Sequence, residues 1–141
     1  MIKIISLLVF MLCSFLINAQ SKTTSSSSSS SITKIDGVER QHSSISVNDS
    51  DTFYSLRAKF PLDKKEEIIK LLSDNIDEEY RSVSGKTFKW IKEENGQPVF
   101  SFVVTNDQLK ISIEKDMISN GTFNKFKNLG ESLKTVISNR K

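Results

Sequence analysis

The chain has 141 residues, 37% of them hydrophobic and 26% charged, which is room for one ordinary domain and the composition of a soluble globular protein. One histidine and one cysteine exclude most of the common metal and nucleophile sites, and the length excludes a large multidomain enzyme. Formal net charge is +3, but Lys3 and Lys22 are the two of 20 basic residues that precede Ile32, leaving 18 against all 17 acidic ones; the part expected to fold is nearly neutral, and nucleic acid is not expected as a partner.

Met1-Ile2-Lys3 gives a positive start, and Ile4 to Ile17 is apolar apart from Ser6, Ser14 and the soft Cys13. Spanning a bilayer core takes roughly 20 residues, and this run of fourteen falls short. With small Ala19 ahead of Gln20, residues 1–19 read as a signal peptide cut after Ala19. The expected location is periplasmic or secreted, with no stable membrane span after cleavage. A lipoprotein anchor is not expected, because Phe10-Met11-Leu12 lacks the small residue needed before Cys13. Cleavage removes the only thiol, so neither a disulfide nor a Cys-ligated zinc can form, and an apolar core must hold the fold.

Residues 20–31 (QSKTTSSSSSSS) carry no apolar side chain and read as a disordered serine-rich spacer. The domain is expected over 32–141. Asp36-Gly37 is placed to turn a polar β-hairpin that runs from Ile32 to Val47. Tyr54, Leu56, Ala58 and Phe60 alternate with Ser55, Arg57 and Lys59, the period of a half-buried strand, and Pro61 stops it. Asp63 and Glu66 have capping-box spacing, and Ile68, Ile69, Leu71, Leu72, Ile76 and Tyr80 share one side of a helix that should end near Arg81, before Gly85. Strands follow over 87–92, 98–105 and 109–115, with turns at Glu94-Asn95-Gly96-Gln97 and Asn106-Asp107. A last helix over 122–138 lines up Phe123, Phe126, Gly130, Leu133 and Ile137; a glycine on that apolar seam predicts close approach of helix and sheet. The order β-α-β-β-β-α, preceded by the hairpin, predicts an α+β two-layer sandwich, an antiparallel sheet with both helices on one face. Phe88, Trp90, Phe100 and Phe102 are expected under those helices as core.

Chemistry-bearing patterns are sparse. His42 sits in the polar ribbon with no partner for a nucleophile dyad. Asp49 and Asp51 begin no EF-type loop, since the sixth position is Tyr54 rather than glycine. Asp74, Asp77, Glu78 and Glu79 read as a solvated helix end. No glycine-rich phosphate loop is present. No catalytic, cofactor-binding or metal-binding residue is therefore assigned, and no cofactor is expected. One surface is singled out: if Phe100, Phe102 and Val104 face the helices, the pleat sends Val99 and Val103 to the opposite face, where Ile91 joins them. That strip, rimmed by Lys89, Lys110, Ser112 and Glu114, is either covered by the 32–47 hairpin, left as scattered surface valines, or used as a dimer or partner face.

The Asn-Ala-Gln signal ending, the serine tract, the Tyr54-Ser-Leu-Arg-Ala-Lys-Phe-Pro strand and the Leu-Lys-Ile-Ser-Ile-Glu-Lys-Asp run before an aromatic helix resemble small exported proteins of Bacteroidota, of the flavobacterial type, which have no known activity. The resemblance implies export and transfers no functional residue. The leading expectation is an exported, non-catalytic binding module for an envelope protein or a second copy of the chain. The alternatives are a carrier or sensor of a small apolar ligand and an enzyme run by carboxylates.

Overall fold

The computed structural model describes residues 24–30 and 43–139. The signal segment, the Asp36-Gly37 turn and His42 lie outside the described residues. Alternating patterns become strands as expected. In β3 (Phe53–Lys59) the side chains of Tyr54, Leu56 and Ala58 are buried and those of Arg57 and Lys59 exposed; β7 (Gln108–Glu114) buries Leu109, Ile111 and Ile113 in the same way. Between them in sequence lie β5 (Thr87–Glu94) and β6 (Gln97–Val104). Asn95 and Gly96 form the two-residue loop joining them, with φ of 52° and 75°, the positive pair of a type I′ hairpin turn.

Among the described residues a single antiparallel sheet of seven strands results, with β1 (Thr24–Ser30), β2 (Ser43–Asp49) and β4 (Arg81–Ser84) completing the order β1-β2-β3-β7-β6-β5-β4. After β3 the chain crosses the sheet through helix α1 (Lys65–Asn75), reaches the far edge, and meanders back until β7 pairs with β3. Helix α2 (Asn120–Ser138) then packs beside α1. Ile68 and Leu72 of α1 and Phe126, Leu129, Leu133 and Ile137 of α2 join the sheet's inner residues in one core. Trp90 and Phe102 are fully buried beneath the helices, while Phe100 and Phe126 meet edge to face at 4.9 Å. The fold is an α+β two-layer sandwich with both helices on one face.

Four local readings are corrected. Thr24–Ser30, expected within a disordered spacer, is strand β1, paired in register with β2 (Ser43–Asp49) from Thr24↔Asp49 to Ser30↔Ser43; an edge strand needs only backbone hydrogen bonds, which apolar periodicity does not report. Helix α1 ends at Asn75 rather than near Arg81: the Asn75 side chain donates to the Leu71 carbonyl at 2.8 Å, and Ile76 turns extended so that its side chain stays in the core. Arg81–Ser84 is then free to form β4 on the β5 edge, with Gly85 at φ 58° in the turn. Asp63 forms no capping box, because Pro61 opens a single 3₁₀ turn at 62–64 and α1 starts after it without a side-chain cap. The cap on α2 is real and starts that helix earlier than expected: Ser119 Oγ accepts from the Thr122 amide at 3.1 Å.

Candidate functional site

The strip expected on the open side of the sheet is divided by a β-bulge. Pairing runs Trp90↔Phe102, Ile91↔Ser101 and Lys92↔Phe100, then shifts so that Glu93 faces Pro98. Val99 has no partner in that ladder, and it is 0% exposed beside Phe100 in the core. A bulge places two consecutive residues opposite one and breaks the alternation on which the strip was predicted. Val99 is therefore a core residue. Ile91 and Val103 are half-buried on the face away from the helices, on different rows of the pleat. Two apolar side chains do not make the dry centre of a protein interface.

A concave site lies elsewhere. The early end of α1 leaves the segment 75–80 as a wall, the 115–122 segment entering α2 forms the opposite wall, and the ends of β5 and β6 close the base. They enclose a cleft of about 360 Å³. Ile76, Phe100, Phe126 and Met117 supply apolar surface at its base. Tyr80 stands edge-on to Phe100, with ring centroids 5.3 Å apart and planes at 83°, and extends the aromatic surface to the rim. The rest of the rim is polar, with Asp77 on the α1 side, Lys92 on β5, and Ser119, Thr122 and Lys125 at the start of α2.

Its charges are unequally committed. Lys92 pairs with Glu94 at 3.0 Å, and that hydrogen bond holds its ammonium above the usual lysine range. A hydrogen bond to Glu79, reinforced by desolvation, raises the Tyr80 phenol, so it remains a neutral donor and acceptor at ordinary pH. Lys125 has no ion-pair partner among the described residues, and it lies in the second turn of α2, one turn from the N-terminal amides around Thr122 that leave a partial positive charge. The rim therefore favours an acidic group on the Lys125 side. Among the described residues there is no group of three or more His, Cys, Asp or Glu side chains able to hold a metal ion.

A second polar cluster is structural. Asp49, at the end of β2, accepts from Lys115 and from Lys127 of α2, the latter at 2.8 Å. Lys115 also donates to the Ser50 carbonyl, and its ammonium lies 4.6 Å from the Phe123 ring centroid. Burial pushes the Asp49 carboxyl up, but the two ammoniums outweigh it and hold the group below its ordinary value. The cluster ties β2 to the helix layer and leaves no group free for chemistry.

Sequence reasoning missed the cleft because Asp77 and Tyr80 were placed in a helix that has already ended. The one available signal was the Asp77-Glu78-Glu79 run, a poor continuation of a helix whose dipole it opposes. No helix among the described residues is long and apolar enough to cross a membrane. Comparison with known proteins finds no matching family, no matching curated protein and no matching solved structure.

Proposed function

We propose that this chain is exported and that its domain is a non-catalytic binding module, with the cleft between the α1 end and the α2 start as its ligand seat. The observation that carries the reading is the cleft itself: a concavity of about 360 Å³ with an aromatic base and a charged rim, the combination that ligand sites use for burial and orientation. A wholly apolar ligand fits poorly, since it would strip water from Asp77, Lys92 and Lys125 without replacing their hydrogen bonds. The better occupant is compact and amphipathic, with an aromatic or branched apolar body against Phe100, Phe126 and Tyr80 and an acidic group toward Lys125. A small molecule and one anchoring side chain of a larger partner have the same chemistry here.

Export rests on the pattern of residues 1–19, and the non-catalytic reading on the absence, around the cleft, of a nucleophile paired with a base. The test is titration with 8-anilinonaphthalene-1-sulfonate, an aromatic anion of the proposed type. Saturable fluorescence enhancement, lost in Thr122→Trp where the indole fills the cleft, supports the seat. Equal enhancement by both proteins contradicts it.

A further inference from the structure

The sheet face away from the helices carries a run of cationic side chains. Its rows follow from the strand register. One row runs Ser46, Arg57, Lys110, Val103, Lys89 and Ser82 across β2, β3, β7, β6, β5 and β4, and the next runs Asn48, Ser55, Ser112, Ser101 and Ile91. Lys59 stands beside Arg57, paired with Gln108. Arg57, Lys59 and Lys110 are exposed and Lys89 is half-buried. None of the four has an ion-pair partner among the described residues. The acidic residues on this side, Glu114 and Glu93, lie beyond the serine row at the other end of the strands.

Arg57 and Lys110 sit directly opposite each other, a like-charge pairing that disfavours the isolated sheet. From Arg57 to Lys89 the row crosses four strands, a span of about 14 Å at the usual strand spacing. Beside it, the hydroxyls of Ser55, Ser101 and Ser112 are level with one another across three adjacent strands. The near-neutral total charge thus hides a cationic row flanked by hydroxyls.

We propose that this face binds an acidic polysaccharide, with its carboxylate or sulfate groups on Arg57, Lys110, Lys89 and Lys59 and its hydroxyls on the serine row. The remaining side chains favour this polyanion over others. Bases in single-stranded nucleic acid need aromatic platforms, and neither row contains an aromatic residue: Phe88 and Trp90 lie on the helix side, and Phe53, on this face, is half-buried beyond the serine row, paired with Glu114 at the far end of the strands from the cations. Insertion into an anionic membrane needs protruding apolar or aromatic side chains, and Ile91 and Val103 are half-buried in the pleat. A protein partner would find no apolar centre. The interaction is independent of the cleft.

The test is binding of the full-length protein to immobilised polygalacturonate at low ionic strength. Single-stranded poly(U) and phosphatidylglycerol vesicles serve as competing polyanions, and the double variant Arg57→Ser/Lys110→Ser and the cleft variant Lys125→Glu as comparisons. Binding should weaken steeply with salt. It should fall on the order of tenfold or more in the double variant and persist in Lys125→Glu. The double variant should melt at the wild-type temperature or above it, because a repulsion has been removed. Failure to bind polygalacturonate, unaltered binding by the double variant, or equal binding to poly(U) or vesicles at the same ionic strength would each overturn the proposal.

Discussion

Gly130 tests the packing of helix against sheet because the sign of its effect can be reversed. A β-carbon at Gly130 would lie 2.9 Å from Tyr54 Oη, 3.7 Å from Leu56 Cδ1 and 3.8 Å from Tyr54 Cζ. Only the first distance is a clash. Tyr54 is 1% exposed and held edge-on to Phe123, with ring centroids 5.9 Å apart, so the ring has little room to retreat. An alanine inside a helix normally gains about 1 kcal/mol over glycine, whereas forcing an extra methyl into a packed core costs about 1–3 kcal/mol. Gly130→Ala should therefore be neutral or destabilising by up to about 2 kcal/mol, and Gly130→Leu more so. The Tyr54 hydroxyl is buried without a hydrogen-bond partner among the described residues, so Tyr54→Phe alone should cost little. In that background the clashing oxygen is gone and only ordinary contacts remain, so Gly130→Ala should become stabilising by up to about 1 kcal/mol. Urea denaturation of the four proteins in this cycle measures the coupling. If Gly130→Ala stabilises equally in both backgrounds, the close approach of α2 to β3 is refuted.

Three further outcomes follow from named groups. Burial, with Glu131 and Asp49 nearby, pushes the Tyr54 phenol up to about 12 from its ordinary 10. The unfolded chain thus loses this proton first, and stability contributed by the neutral phenol falls as pH rises from about 10 to about 12; alkaline denaturation of Tyr54→Phe should lack that slope. The depressed Asp49 carboxyl contributes stability above its ordinary value of 3.8 that disappears as pH falls through the lower folded value. Asp49→Asn should flatten acid denaturation in that range and cost about 1–3 kcal/mol at neutral pH. Val99→Arg should unfold the domain, whereas Val103→Arg should leave its circular dichroism spectrum unchanged and lower its melting temperature only slightly, through repulsion from Lys89 and Lys110 on either side; the reverse would place the bulge wrongly.

The layer architecture was legible because it follows from apolar periodicity. Tyr54, Leu56 and Ala58 alternate, Phe126, Leu133 and Ile137 recur at helical spacing, and Asn95-Gly96 is a hairpin signal by backbone conformation alone. What was not legible depends on backbone events with no apolar signature. The serine strand pairs through its peptide groups, and its composition instead suggested a spacer. Val99 is turned inward by a bulge whose position depends on the neighbouring strand. The end of α1 at Asn75 follows from Ile76 seeking the core against the helical period that Tyr80 continued. That misplaced end concealed β4 and the cleft together. The cationic row was partly visible, since Arg57, Lys59 and Lys89 each alternate with apolar neighbours, but its alignment with Lys110 required the β3–β7 pairing, a contact between strands far apart in sequence.

The most direct test of the ligand seat is two-dimensional amide NMR of the isotope-labelled full-length protein during titration with 8-anilinonaphthalene-1-sulfonate. If the cleft is the seat, saturable shifts should concentrate at Ile76, Tyr80, Phe100, Thr122 and Phe126, and Lys125→Glu should weaken the apparent affinity on the order of tenfold, the scale of losing one partly shielded charge contact. Shifts concentrated instead on the open sheet face, around Ser101, Val103 and Ser112, or an affinity unaltered by Lys125→Glu, would contradict the assignment of the cleft as the binding site.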